Sequence, residues 1–180
     1  MRFLPTELPD VRIIEPVSFS DDRGFFFECW NEAAFRAAGI EATFVQDNHS
    51  RSIRNVLRGL HYQTSQAQGK LVRCVFGTIF DVVVDLRRSS QSFGKWFGVE
   101  LSAANRRMVW IPAGFAHGLL VTSEHAEVIY KVTQFWAPQY ERTIAWNDSV
   151  LAIRWPIEGD PILSAKDARG MAFENAPTFD

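Results

Sequence analysis

Between residues 71 and 146 the chain is a succession of short segments rich in β-branched and aromatic residues, separated by turn residues. Such side chains pack well on a pleated sheet, so the pattern predicts strands. We assign strands to residues 71–76, 79–86, 96–101, 108–111, 119–122, 127–136 and 142–146, the first two forming a hairpin around Gly77 and Thr78. Many short strands with few helices indicate a sandwich or a barrel.

Only one segment has the clear pattern of a helix. It covers residues 31–38 and is closed by Gly39, a residue type that often ends helices. The chain has 180 residues and contains no internal repeat, low-complexity segment or linker. We therefore expect one continuous domain over residues 1–180, with a barrel core over about residues 45–147 and the N-terminal strands and C-terminal segment packed on it.

The charge and the cysteines argue against several classes of function. A formal net charge of −2 does not suit a protein that wraps nucleic acid or docks on an anionic membrane. The two cysteines, Cys29 and Cys74, form no paired motif, which argues against a disulfide framework or a zinc site and agrees with a reducing compartment. The sequence has no signal-peptide pattern and no apolar stretch of roughly 20 residues. We expect a soluble, cytoplasmic protein.

Four histidines are present, and His61 lies in the segment VLRGLHYQ, residues 56–63. The segment is apolar enough for a strand, but a strand buried for packing alone would not contain Arg58 and His61, because unpaired buried polar groups are costly. These two residues are three apart, so ideal alternation sends them to opposite faces of the strand. A bulge at Gly59 would bring both to one face; otherwise one of them points to solvent.

His117 ends the motif P-x-G-x-x-H, which begins at Pro112 and is the second motif of cupin barrels, where this histidine often binds a metal. A cupin metal site needs further ligands, usually a second histidine two residues after the first one in the earlier motif. His61 is followed by Tyr62 and Gln63 instead. Since three or four ligands cannot be assembled, we expect no metal.

Two further features leave alternatives open. Lys70 begins a strand after a Gln-rich turn, where a lysine is usually solvated, but Arg58 and His61 nearby also allow an anion-binding pocket. In the predicted strand 127–136, alternation puts one set of residues on one face: Val128, Tyr130, Val132, Gln134 and Trp136. That face either lines a polar cavity or points to solvent.

A series of motifs in consistent order resembles the dTDP-4-dehydrorhamnose 3,5-epimerase family from about residue 12 to residue 170. The matching segments are DDRGFFFE at 21–28, QDNHSRS at 46–52, VLRGLHYQ at 56–63, GKLVR at 69–73, the strand 80–87, the segment 109–118, Tyr130 with Lys131, Glu141 with Arg142, WND at 146–148 and LSAKD at 163–167. There are two departures. Residues 90–94 read SQSFG where the family commonly has SPTFG, and Trp136 stands where the family usually has Tyr or Phe.

The resemblance implies a mainly β fold, a cupin-type double-stranded jelly-roll barrel with a few short helices. It implies a cofactor-independent isomerase that epimerises C3 and C5 of dTDP-4-keto-6-deoxyglucose to give dTDP-4-keto-L-rhamnose, a precursor in deoxysugar and polysaccharide biosynthesis. It also implies a homodimer with N-terminal segments exchanged across the interface. The alternatives are an epimerase acting at C3 or C5 alone, a 3,4-ketoisomerase, a non-catalytic sugar-binding cupin and a metal-dependent cupin oxygenase.

The same resemblance implies roles for individual residues. His61 is expected to be the general base, Asp167 its partner, Lys70 the group that stabilises the oxyanion at O4, and Tyr130 the acid on the other face of the sugar. The expected substrate-binding residues, which match the family's substrate-contacting positions, are Arg23, Glu28, Gln46, Asn48, Arg58, Lys70, His117, Trp136, Glu141 and Lys166. Trp136 is expected to stack on the thymine.

Overall fold

A computed structural model describes all residues from 1 to 180 as thirteen strands, one short α-helix and three 3₁₀ helices. The strands are β1 (Arg2–Pro5), β2 (Arg12–Glu15), β3 (Ser18–Asp21), β4 (Gly24–Phe27), β5 (Gln46–Ile53), β6 (Leu57–Gln63), β7 (Lys70–Phe76), β8 (Thr78–Asp85), β9 (Trp96–Ser102), β10 (Met108–Ile111), β11 (Phe115–Val121), β12 (His125–Val132) and β13 (Glu141–Thr143). The helix α1 is Glu32–Ala37, and the 3₁₀ helices are Pro138–Tyr140, Asp167–Arg169 and Phe173–Asn175. None of the helices is long and apolar enough to span a bilayer.

Two antiparallel sheets form the body of the molecule. The six-stranded sheet has the order β1-β2-β10-β7-β12-β5, and the five-stranded sheet has the order β13-β6-β11-β8-β9. The largest hydrophobic core takes residues from both sheets, including Val72 and Val128 from one sheet and Val83 and Leu119 from the other. β3 and β4 form a separate two-stranded hairpin. The prediction of a mainly β, jelly-roll fold is confirmed.

The predicted hairpin between residues 71–76 and 79–86 is wrong. Both strands exist, but β7 pairs with β10 and β12, whereas β8 pairs with β11 and β9 in the other sheet. Gly77 makes the corner between the sheets with φ +71°, where a Cβ atom would collide with the carbonyl oxygen of His125 and with Ser123 Oγ. A glycine turn indicates that the chain changes direction, but it does not indicate which strand will pair with the next one.

Other elements are close to their predicted positions. The helix is one residue shorter at each end than predicted, and Asn31 caps it by accepting a hydrogen bond from the Ala34 amide at 3.1 Å. The strand predicted over 127–136 ends at Val132, so Gln134 and Trp136 lie in the following loop. Within β12, Val128 and Val132 face the core. The strand predicted over 119–122 begins earlier, at Phe115, and the one predicted over 142–146 ends at Thr143.

Candidate active site

The site depends on an irregularity in β6. In the register with β11, His61 lies opposite His117 and Arg58 lies opposite Leu119, so two residues of β6 face the single residue Gly118. Gly59 has φ +131°, and a Cβ atom there would be 2.9 Å from the His117 carbonyl oxygen. This bulge turns Arg58 and His61 to the same cavity, which confirms the bulge hypothesis.

The cavity lies between the two sheets and has a volume of about 400 Å³. Both sheets and three loops supply its lining: Gln46, Asn48, Ser50, Arg58, His61, Gln68, Lys70, His117, Leu119, Tyr130, Trp136, Glu141 and Lys166. Most of the residues expected from the sequence are therefore brought together. The cations among them outnumber the single carboxylate, Glu141, which suits an anionic ligand.

His61 and Asp167 form a hydrogen-bonded pair at the cavity wall. His61 Nε2 donates to Asp167 Oδ1 at 2.5 Å, and Ser164 Oγ donates to Asp167 Oδ2 at 2.7 Å. Burial lowers the pKa of His61, and the Asp167 carboxylate only partly opposes this shift. The imidazole is therefore neutral at neutral pH and able to accept a proton.

Asp167 itself is 4% exposed, in the 3₁₀ helix Asp167–Arg169. Burial opposes its ionisation, but hydrogen bonds from His61 and Ser164 and the charge of Lys166 outweigh that effect, so its pKa is lowered. The carboxylate therefore stays ionised beside the imidazole and favours the imidazolium that forms when His61 takes a proton.

Lys70 is the first residue of β7, and it is 7% exposed. Its Nζ donates to the carbonyl oxygen of His61 at 3.5 Å, the limit of a hydrogen bond. Burial lowers the pKa of Lys70 to about 8, against the opposing charges of Asp81 and Glu141. Most Lys70 side chains therefore carry a positive charge at neutral pH, beside the base and without a carboxylate bonded to the amine.

Tyr130 lies on β12, in the six-stranded sheet, whereas His61 lies on β6, in the five-stranded sheet. The two side chains line the cavity from opposing walls. Burial raises the pKa of Tyr130; Arg58 acts against this shift and Glu141 adds to it. The phenol therefore keeps its proton over the neutral range and is able to donate it.

A second histidine–carboxylate pair was not predicted. His117 Nε2 donates to Asp81 Oδ2 at 2.8 Å, and Asp81 is fully buried with its other carboxylate oxygen unpartnered. Asp81 stands in the matched segment 80–87, so the signal was present in the sequence. Ser50 was also missed, although it continues the alternation of Gln46 and Asn48 along β5. Gln68 and Leu119 carry no comparable signal.

Polar contacts and an exposed aromatic residue form another part of the cavity lining. Lys166 and Glu141 form an ion pair at 2.9 Å. Gln46 donates to Asn48 Oδ1 at 2.8 Å and accepts from the Trp136 amide at 3.1 Å. The Trp136 side chain is 58% exposed, so its ring offers an open face to a ligand.

Arg23 and Glu28 do not line the cavity in this chain. Arg23 lies in the turn of the β3–β4 hairpin, where it forms an exposed ion pair with Asp21 at 2.6 Å. Glu28 follows β4 and accepts a hydrogen bond from Asn31 at 3.3 Å. Their assignment to the substrate stays a prediction. No group of three or more His, Cys, Asp or Glu side chains is arranged to hold a metal ion.

The sequence model of the family described as dTDP-4-dehydrorhamnose 3,5-epimerase matches residues 5–175. The chain belongs to this family. A Pseudomonas aeruginosa dTDP-4-dehydrorhamnose 3,5-epimerase is 61% identical over 173 residues, covering 96% of each chain. The family assignment confirms that the chain is an isomerase, with the 3,5-epimerisation of dTDP-rhamnose biosynthesis as its activity.

Solved structures agree with the family assignment. The Legionella pneumophila epimerase, solved in complex with dTDP-4-keto-L-rhamnose, is 45% identical with a TM-score of 0.95, covering 98% of this chain and 94% of that one. A 3'-monoepimerase from Streptomyces bikiniensis, solved with dTDP-quinovose, is 33% identical with a TM-score of 0.89, covering 94% of this chain and 87% of that one. The fold is therefore shared by single-site and double-site epimerases.

Proposed function

We propose that this cavity inverts C3 and C5 of dTDP-4-keto-6-deoxyglucose by proton transfer between His61 and Tyr130, without a cofactor. The observation that carries the proposal is the placement of a neutral imidazole and a protonated phenol on opposing walls of one cavity. In the substrate, the C4 ketone acidifies the hydrogens on C3 and C5. Inversion then requires removal of a proton from one face, survival of the enolate and return of a proton to the other face.

In this mechanism His61 removes the proton. Asp167 fixes the imidazole through Nε2 at 2.5 Å and stabilises the imidazolium, as the aspartate does in a Ser-His-Asp triad. The carboxylate is buried and its lowered pKa keeps it ionised, so it does not compete for the proton. His61 Nδ1 makes no hydrogen bond within the chain and is the nitrogen available to the substrate.

Lys70 stabilises the charge that develops on O4 as the enolate forms. An interaction that strengthens toward the transition state raises the rate, whereas one equally strong with bound substrate would only tighten binding. Lys70 fits this role because its buried ammonium has no carboxylate partner to neutralise it. Tyr130 then delivers a proton to the opposite face.

The remaining polar residues bind the nucleotide. Arg58 and Lys166 supply cations for the diphosphate, and an arginine fork suits phosphate oxygens particularly well. Trp136 stacks on the thymine through its exposed ring. The other substrate-binding assignments are Gln46, Asn48, His117 and Glu141, all of which line the cavity. The bound dTDP-4-keto-L-rhamnose of the Legionella pneumophila relative supports a dTDP-sugar as the ligand.

The working unit in this proposal is a homodimer, in which Arg23 and Glu28 of the partner subunit complete the site. The support lies in the β3–β4 hairpin, where Phe19, Phe25 and Phe26 are all at least 60% exposed. A two-stranded hairpin is only marginally stable alone, and exposed aromatic patches commonly mark interfaces. A second copy covering this hairpin would explain both features.

The test is incubation with dTDP-4-keto-6-deoxyglucose in heavy water, with deuterium at C3 and C5 counted by NMR. We expect label at both carbons and coupling constants of the inverted sugar. Label at one carbon only would assign the chain to the single-site epimerases. Tight substrate binding with no label at either carbon would contradict the proposal.

A further inference from the structure

In the loop that carries Trp136, the Thr133 amide still donates to the Gly69 carbonyl at 3.0 Å, but residues 134–136 make no backbone–backbone hydrogen bond. β12 ends at Val132 and the next 3₁₀ helix begins at Pro138, so residues 133–137 lie outside any strand or helix. Around Trp136 the backbone groups are bonded by side chains instead. The carbonyl of Phe135, the amide of Trp136 and the amide of Ala137 each have a glutamine partner.

Gln63 supplies two of these three bonds. Its Nε2 donates to the Phe135 carbonyl at 3.3 Å, and its Oε1 accepts from the Ala137 amide at 2.9 Å. The two bonds bracket Trp136 on both sides. Nε2 also donates to the Gln66 carbonyl at 2.8 Å, so the same amide ties the 64–69 loop to the Trp136 loop.

The position of Gln63 keeps its side-chain amide rigid. The residue is the last of β6, two residues after His61, and its side chain is 3% exposed. Both amide hydrogens and the carbonyl oxygen are used, so the rotation of the amide is fixed by its partners. Gln63 does not line the cavity. Any effect on the substrate must therefore pass through the loops it holds.

The bonds of Gln63 matter for Trp136 because this residue is 58% exposed, so burial alone does not fix the orientation of its ring. A ring that is held in its bound position before the ligand arrives contributes more to the binding free energy, because ordering a mobile loop on binding costs free energy. We propose that Gln63 is a positioning residue that holds Trp136 in place for the nucleobase. This inference rests on the proposed function, in which Trp136 stacks on the thymine.

The test compares Gln63→Met, which keeps the length of the side chain and removes all three bonds, with Gln63→Glu, which keeps only the acceptor for Ala137. Thr64→Val is the matched control, because it also removes one side-chain bond to a backbone carbonyl, that of Tyr140, without touching the Trp136 loop. For each variant, amide hydrogen exchange over residues 133–137 is measured first. KM, kcat and the Kd for dTDP are then measured on the same protein.

We expect faster exchange in residues 133–137 for Gln63→Met, with unchanged exchange in β6. KM and the dTDP Kd should rise about 5- to 20-fold, within the range of one base–aromatic stack, while kcat stays within about twofold. Gln63→Glu should be intermediate and Thr64→Val unchanged. In a Trp136→Ala background, Gln63→Met should add almost nothing to KM, because its effect passes through Trp136.

Three results would overturn the inference: unchanged exchange in residues 133–137, an unchanged dTDP Kd in Gln63→Met, or full additivity with Trp136→Ala. The proposed function fails separately. If Trp136→Ala alone leaves dTDP binding unchanged, the stacking assignment is wrong and Gln63 has nothing to position. If Trp136→Ala weakens binding and Gln63→Met does not, only the role of Gln63 is wrong.

Discussion

At the scale of single residues, His61 is the position whose loss should cost most. His61→Asn keeps a similar volume and removes the titrating nitrogen that is bonded to Asp167. We expect a fall of about 10³- to 10⁴-fold in deuterium incorporation at both C3 and C5, with the Kd for dTDP nearly unchanged. Near-normal exchange in this variant would remove His61 from the role of base.

Tyr130 should separate proton return from proton removal. Tyr130→Phe keeps the ring that packs against the core and removes only the hydroxyl. The enolate should still form, and His61 should return the proton to the face it came from. We expect solvent exchange with retained configuration at one carbon at least, and at least about a 100-fold loss of inverted product. Inversion of both centres at the wild-type rate would assign the acid to water or another side chain.

The pH dependence of kcat/KM should be bell-shaped. His61 must be neutral to accept a proton. Because its pKa is lowered, the acid limb of the pH profile should lie at a lower pH than the usual pKa of a histidine. Lys70 must be charged, so activity should fall as the pH rises through about 8. The raised pKa of Tyr130 keeps the acid protonated throughout. In Lys70→Arg the alkaline limb should move to higher pH; a limb that stays in place would belong to another group.

At the scale of elements, the β6 bulge should tolerate no side chain at Gly59. Gly59→Ala combines an unfavourable φ of +131° with contact against the backbone of His117 and Gly118. Gly24 is the matched control, since its φ is +130° but a Cβ atom there meets nothing within 4 Å. We expect Gly59→Ala to lower the free energy of unfolding by at least about 2 kcal/mol more than Gly24→Ala, as measured by urea denaturation.

Strands were predictable where a segment is rich in apolar β-branched and aromatic residues. The segments of β7 to β12 were found within a few residues because they are rich in β-branched and aromatic residues, which pack in the core on one face or, in β10 and β11, on both faces. β5 was not found, because its sequence QDNHSRSI is polar on both faces. One face lines a polar cavity and the other meets solvent, so the usual contrast between an apolar and a polar face is absent. The motif resemblance, and not periodicity, located its residues.

The irregular positions were partly predictable. The bulge was one of two arrangements that the spacing of Arg58 and His61 allowed, the other being that one of them points to solvent, and the register of β6 with β11 decides for the bulge. The corner at Gly77 was mistaken for a hairpin, because both arrangements need a glycine with positive φ and differ only in long-range pairing. The Asp81–His117 pair brings together residues 36 positions apart. Such a pairing follows from the register of β8 and β11, which a single sequence does not contain.

At the scale of the whole molecule, the dimer proposal predicts complementation between two defective variants. Arg23→Ala loses a contact supplied to the partner's site, and His61→Asn loses the base of its own site. In a mixed dimer, one cavity has both His61 and Arg23 of the partner subunit, so mixing the variants should restore up to about one quarter of wild-type activity under random exchange. No recovery despite verified subunit exchange would place Arg23 outside the partner's site.

The topology of the sheets has a consequence for how the chain reaches its native state. Cavity residues come from positions as distant as Gln46 and Lys166, and in the six-stranded sheet only β1 and β2 are neighbours both in space and in the chain. Long loops must close before such contacts form, so folding should take milliseconds to seconds. No smaller folding unit contains a complete site. Recovery of turnover after dilution from denaturant therefore reports completion of the entire barrel and, in the proposed dimer, its pairing with a second copy. A nucleotide that binds only this finished state stabilises it by about 2.7 kcal/mol at 100 times its Kd.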